Sequence, residues 1–229
     1  MRYWIMGGGG IGRALAATCA ERGDEVSLFS RTDPGLPGVS WHCLDNTDEA
    51  AMTGLCNTLP LPERVINTVG TLHSEHHQPE KRIEQLQQDA LLEHMRINTW
   101  PTLALARLLS ARMERRQPLL LTALSARVGS ISDNRGGGWY SYRISKAALN
   151  MAIKNLGIEW SRRFPAACVA GLHPGTVATG LSAPFRAGLA HGQLQSPEQA
   201  AQHLLTVIDS LTPGQSGRVF AWDGREIIP

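Results

Sequence analysis

Along the chain, short apolar runs alternate with longer stretches whose apolar residues recur at helical spacing, and the short runs repeatedly end in glycine, asparagine or proline. Residues 3–6 lead into Gly7-Gly8-Gly9-Gly10-Ile11-Gly12, and a helix-periodic segment, 13–22, is stopped by Gly23. That order reads as strand, glycine turn, helix and glycine C-cap. A second strand at 25–30 completes a βαβ unit, whose crossover requires parallel strands.

The alternation continues to the end of the chain. Strands are predicted at 39–44, ending in Asp45, and at 64–68, closing in Asn67-Thr68-Val69-Gly70, with a helix at 48–59 between them. A polar loop at 72–82 precedes a long helical pattern, 83–109, that Pro101 interrupts just after Asn98. A strand at 118–123, a polar, glycine-rich loop at 125–138 and a helix from about Tyr142 to 163 follow. The strand at 167–172 runs into His173-Pro174-Gly175-Thr176-Val177-Ala178-Thr179. Residues 182–195 carry no readable period and are expected to form a lid over a substrate cleft. Ser196-Pro197-Glu198-Gln199 has the form of an N-cap with a capping box, opening a helix to about 211 before a last strand at 218–222. Strands alternating with helices predict one α/β domain over 1–229 built on a parallel sheet.

The glycine turn can be spaced as Gly7, Gly9 and Gly12 or as Gly7, Gly10 and Gly12, and both spacings let a pyrophosphate approach the amino terminus of a helix. At the end of the second strand, where a carboxylate would accept from a ribose 2′-hydroxyl, stand Ser30 and Arg31. A guanidinium there suits a 2′-phosphate, so the expected cofactor is NADP(H). Tyr142 and Lys146 lie four residues apart, on one helix face, where the ammonium is expected to lower the phenol's pKa and make it a usable acid and base.

Composition narrows the partners. With 22 Lys and Arg against 20 Asp and Glu in 229 residues, the net charge of +2 gives no reason to expect nucleic acid, and a small molecule is the expected partner. Cys19, Cys43, Cys56 and Cys168 have no CxxC spacing and are expected to be buried, reduced thiols, and His73, His76 and His77 have no carboxylate or thiol in a ligand pattern beside them, so no metal is expected. The opening residues carry no leader-like pattern and no apolar run reaches membrane-spanning length, so the expected location is the cytoplasm, away from membranes.

Taken in order, the glycine turn, Asp45, Asn67-x-x-Gly70, Asn98, the serine-bearing loop, Tyr142-x-x-x-Lys146 and Pro174-Gly175-x-Val177-x-Thr179 resemble the short-chain dehydrogenase/reductase family. The wording Ser-Ala-Arg-Val-Gly-Ser-Ile and Gly-Gly-Trp-Tyr-Ser-Tyr is similar to its small carbonyl reductase and C-factor-like branch. The resemblance implies a Rossmann fold, with a doubly wound, mostly parallel seven-stranded sheet and helices on both faces, and hydride transfer between a nicotinamide and a small carbonyl or alcohol. It also implies that Tyr142 passes the proton, that Lys146 holds the nicotinamide ribose and that Asn98 positions a water. By the same resemblance Gly7, Gly9, Gly10, Ile11 and Gly12 take the pyrophosphate and Asp45 with Asn46 meets the adenine. Asn67, Thr68 and Gly70 would line the adenosine and ribose side, while Pro174, Gly175, Thr176, Val177 and Thr179 would face the nicotinamide. A homodimer or homotetramer packed through the long helices is implied as well.

Two departures from the family pattern stand out. Ile5-Met6 replaces the usual Thr-Gly before the glycine turn. Ala126 stands three residues before Gly129, where the family's catalytic serine is expected, leaving Ser125, which keeps the strand-end position, or Ser130 to hold the substrate oxygen. A dinucleotide-binding regulatory or signalling protein with little turnover is the alternative function.

Overall fold

The computed structural model describes residues 1–74, 77–185 and 192–228. Seven parallel strands form the sheet: β1 (Arg2–Met6), β2 (Glu25–Ser30), β3 (Val39–Cys43), β4 (Arg64–Asn67), β5 (Leu120–Leu124), β6 (Cys168–His173) and, last in the chain, β9 (Arg218–Ala221). Their spatial order is β3-β2-β1-β4-β5-β6-β9, so the connections reverse direction between β1 and β4 and open a crevice at the carboxyl ends of those strands.

Both faces of the sheet are buried, and strand side chains alternate between them. Trp4 and Met6 of β1 pack with Leu121 and Ala123 of β5 under helices α2 (Glu49–Thr58), α4 (Trp100–Arg112) and α5 (Tyr140–Arg163). Tyr3 and Ile5 point the other way, with Leu28, Ala170 and Leu172, under α1 (Gly10–Glu21) and α6 (Pro197–Ser210). The predicted capping box of α6 is formed: Ser196 Oγ accepts from Gln199 N–H, and Gln199 Oε1 accepts from Ser196 N–H.

Several expectations change in detail. The helical pattern at 83–109 divides into a single 3-10 turn, Ile83–Gln85, then α3 (Gln88–Asn98) and α4, with Thr99 at the break. The interruption expected at Pro101 is present: the helix restarts there, with Pro101 in the first turn of α4, where its missing N–H has no intrahelical acceptor to lose. A two-residue parallel pair, β7 (Thr176–Val177) with β8 (Leu194–Gln195), was not predicted, because two residues carry no period. Cys43 is exposed, unlike the other three cysteines. Of the expected lid, residues 186–191 lie outside the described residues, as does His76 of the histidine-bearing loop. Among the described residues, no helix is long and apolar enough to cross a membrane.

Candidate active site

The glycine turn stands at the carboxyl end of β1, beside the point where strand order reverses. Gly7 adopts φ 102°, a region that disfavours side chains, and its N–H donates to the Phe29 carbonyl at 2.8 Å. A Cβ on Gly12 would lie 2.0 Å from the Gly7 carbonyl oxygen, so helix and turn can meet only through glycine there. Thr68 fastens the turn by donating toward the carbonyl oxygens of Met6 and Gly7, at 2.8 and 3.1 Å. Gly9, the N-cap of α1, supplies no capping side chain, so the first N–H groups of α1 have no side-chain cap and can receive an anion. Sterically the two glycine spacings differ. A Cβ on Gly10 would come within 2.8 Å of Thr179 Cγ2, whereas one on Gly9 would meet nothing within 4 Å among the described residues.

Three adjoining cavities run from this turn along the carboxyl edge. The first, about 470 Å³, is lined by Gly7, Gly9, Ser30, Arg31, Asp45, Asn46, Thr68 and Gly70, with Arg96 of α3 facing them. The second, about 320 Å³, shares Gly9, Thr68 and Gly70 with it and adds Gly10, Ile11, Gly12, Lys146 and Tyr142. The third, about 340 Å³, shares Ile11, Ser125, Tyr142, Pro174 and Thr179 with the second. Gly175, Thr176 and Val177 line only this third chamber, whose wall is largely apolar: Leu72, Ala126, Val128, Trp139 and Leu181.

At the first cavity, Ser30 Oγ is engaged within the protein, donating to the Thr32 carbonyl at 2.8 Å and accepting from Trp41 Nε1 at 3.1 Å. Arg31 is exposed at the rim. Asp45 accepts from the N–H and hydroxyl of Thr47, at 2.9 and 2.8 Å. Those bonds, helped by the nearby Arg31 and Arg96 charges, hold its carboxyl below the usual range. Arg96, which no sequence motif marked, donates to Thr47 Oγ1 at 2.8 Å. Asn46 is buried and donates to the Phe29 carbonyl at 3.0 Å. Asn67, expected on the ribose side, lines none of these cavities. Its Nδ2 donates to Thr102 Oγ1 at 2.8 Å and its Oδ1 accepts from Val69 N–H at 3.0 Å, so its side chain holds the turn beneath the cleft.

At the junction of the second and third cavities, α5 carries Tyr142 and Lys146 on one face, with the ammonium 5.8 Å from the phenol ring centre and bonded to the Leu124 carbonyl at 2.8 Å. The expected lowering of the phenol's pKa is overturned. Burial dominates and pushes Tyr142 up to about 12, and burial likewise draws Lys146 down to about 8. His94 and Trp139 pack edge-on against Tyr142.

Asn98 is buried behind this pair rather than in it. Its Oδ1 accepts from Thr71 N–H at 2.7 Å, and its Nδ2 donates to the Thr71 carbonyl and Ser145 Oγ, at 3.0 and 2.9 Å. It therefore ties the strand-four loop to α5. Ser125 lines the second and third cavities, and its Oγ lies 2.5 Å from Asn150 Oδ1, to which it donates; Asn150 Nδ2 is buried and has no partner among the described residues. Ser130 is elsewhere, donating to the Ile228 carbonyl at 2.5 Å and lining none of the cavities. His173, passed over in the sequence, lines the third cavity at the end of β6, and burial lowers its pKa to about 4, which keeps the imidazole neutral.

A glycine turn, a Tyr and Lys pair and a strand-six Pro-Gly turn thus meet around one cleft, and residues 4–190 match the family model described as short chain dehydrogenase. The chain belongs to this family. It is 33% identical to the 1-hydroxy-2-glutathionyl-2-methyl-3-butene dehydrogenase of Rhodococcus sp. (strain AD45) over 94% of this chain and 93% of that one. It is 38% identical to the C-signal of Myxococcus xanthus over 45% of this chain and 57% of that protein. Among solved structures, the NADPH-bound carbonyl reductase from chicken fatty liver superposes with a TM-score of 0.82 over 100% of this chain and 94% of that one, at 19% identity, a likeness of fold. As a member of the short-chain dehydrogenase family, the chain is an oxidoreductase acting on a small molecule.

Proposed function

We propose that this short-chain dehydrogenase is an NADP(H)-dependent reductase of small carbonyl compounds with Tyr142 as general acid. The observation that carries the reading is the meeting of Tyr142, Lys146 and Ser125 where a cofactor-sized cleft opens into an apolar chamber. The chain has room for the dinucleotide: a glycine turn with an uncapped helix start for the pyrophosphate, and Arg31 at the rim for a 2′-phosphate. The nicotinamide supplies the hydride when bound. Tyr142, protonated at neutral pH as any phenol is and held more firmly so by burial, donates to the carbonyl oxygen, a state suited to reduction. Lys146 holds the ribose hydroxyls, and Thr179 with Pro174 faces the nicotinamide.

Ser125 is the second donor to the substrate oxygen. Turning the Asn150 amide would bring its unpartnered Nδ2 to Ser125 Oγ and release the hydroxyl proton toward the chamber. The apolar wall favours an alkyl or aryl group on the carbonyl carbon. The Rhodococcus relative, named as a dehydrogenase of a glutathionyl alcohol, supports the same chemistry run in reverse. The regulatory alternative, to which the likeness to the C-signal lends support, requires the cofactor but no turnover. Purified protein with NADPH and a panel of aldehydes, ketones and quinones decides between them: oxidation of NADPH by at least one panel member is expected, and NADPH binding with no turnover across the panel would favour the regulator.

Assembly as a homodimer or homotetramer through α4 and α5 is proposed on the exposed apolar side chains Trp100, Ile144, Met151 and Ile158. Sedimentation of wild type and Met151→Arg tests it, a monomeric wild type counting against it.

A further inference from the structure

Glu80, in the polar segment before α3, is only 5% exposed, although carboxylates are seldom buried so fully. Its carboxylate accepts from the hydroxyl of Ser141 and, at 3.3 Å, from Ser141 N–H. Its backbone carbonyl accepts from Trp139 N–H at 2.5 Å. Helix α5 has no side-chain cap from its own N-cap residue, so this distant carboxylate satisfies donors of its first turn, at the end where a negative charge is favoured.

The joint is tight. A Cβ on Gly138 would lie 3.1 Å from the Glu80 carbonyl oxygen. Trp139, the only non-glycine at positive φ among the described residues, is held at 51°, a conformation that persists where surroundings over-determine it. Trp139 and Tyr142 both line the chamber, with ring centres 6.3 Å apart. Glu80 lines neither the chamber nor the cofactor cavities.

We propose that Glu80 is a positioning residue for the reaction: by gripping Ser141 and Trp139 it sets the Tyr142 hydroxyl and the Trp139 wall against the substrate carbonyl. The inference rests on the reading of Tyr142 as proton donor. A small tilt of the first turn of α5 displaces Tyr142 while leaving the glycine turn, on another element, where it is. Misplacement by about 1 Å can cost on the order of 10²-fold in rate.

The test compares Glu80→Ala, Glu80→Gln, Ser141→Ala and Tyr142→Phe for kcat, KM and NADPH dissociation constant on one accepted carbonyl. Glu80→Ala is expected to lower kcat/KM at least about tenfold while the NADPH dissociation constant stays within about twofold. Glu80→Gln keeps one oxygen for Ser141 and is expected to recover to within about threefold of wild type. Glu80→Ala introduced into Ser141→Ala should cost less than in wild type, since the two share one contact. Activity of Glu80→Ala within about twofold of wild type overturns the proposal, as does a parallel loss of NADPH affinity and kcat/KM in both Glu80 variants. If Glu80→Ala does not fold, Ser141→Ala carries the test: a loss of about threefold or more in kcat/KM at constant NADPH affinity supports the proposal, and an unchanged kcat/KM overturns it. Tyr142→Phe separates the two readings, because full activity there removes the proton donor itself and not its positioning.

Discussion

The two ends of the cleft are built differently. The end beyond the glycine turn is made of the turns that follow β1, β2, β3 and β4, with α3 facing them, and some of its polar side chains are bonded to near neighbours, as Asp45 is to Thr47 and Ser30 to Thr32. The chamber end is made of segments far apart in the chain: Leu72, the 126–128 turn, Trp139, the Pro174-Gly175 turn and Leu181. Its two central ionisable groups, Tyr142 and Lys146, are almost wholly buried, and both are shifted toward their neutral forms. The lesson is that the open end should tune affinity and cofactor choice, whereas the buried end should govern rate and carry a cost in stability.

Substitutions at the chamber end are expected to act hardest. Ser125→Ala should lower kcat/KM by about 10²-fold, the loss of one donor to the developing oxyanion, while Ser130→Ala stays within about threefold because its hydroxyl serves the chain end. Equal losses, or a larger loss at Ser130, would reverse the assignment of the two serines. At the open end, Arg31→Ala should weaken NADPH binding about tenfold or more and NADH binding less than about twofold, measured by fluorescence titration. Equal losses for both cofactors would remove Arg31 from the 2′-phosphate.

The pH dependence contrasts the ends again. Lys146, with a pKa near 8, is charged below that pH and neutral above it, so NADPH affinity should fall as pH rises through 8 if the ammonium holds the ribose. The stability effect has the opposite sign. Between pH 8 and 10.5 the unfolded chain binds the extra proton, so this residue's penalty is full below 8 and vanishes above 10.5. Lys146→Met should therefore raise stability toward urea at pH 7 by roughly 1–3 kcal/mol, a gain that shrinks as pH approaches 10.5. A loss of stability at pH 7 would show that the bond to the Leu124 carbonyl outweighs the burial.

Legibility in the sequence follows the same division. The sheet, the glycine turn and the capping box of α6 were readable because each is a local pattern, one period or one turn long. The Tyr142 and Lys146 pair was readable because helical spacing alone puts two residues on one face. What failed depended on burial or on distant partners. The direction of the Tyr142 shift turned on desolvation, which spacing does not report. Asn67 was placed on the ribose side by the family resemblance, yet its amide donates to Thr102 on α4, beneath the cleft. Arg96 and Glu80 escaped notice because each reaches its place from another element. For Glu80 one signal existed: a carboxylate in the Pro79-Glu80-Lys81 turn together with a helix whose start lacks a side-chain cap. For His173 the signal was its place directly before the Pro174-Gly175 turn at a strand end.

In the proposed reaction Tyr142 delivers the proton that accompanies hydride transfer from NADPH. That step is tested most directly by mixing NADPH deuterated at both C4 positions with an accepted ketone and following the label into the alcohol by mass spectrometry, for wild type and Tyr142→Phe at equal NADPH occupancy. The account predicts deuterated alcohol from wild type and a rate lower by about 10³-fold from Tyr142→Phe, with the NADPH dissociation constant unchanged. Labelled alcohol forming from Tyr142→Phe within a few-fold of the wild-type rate would contradict it.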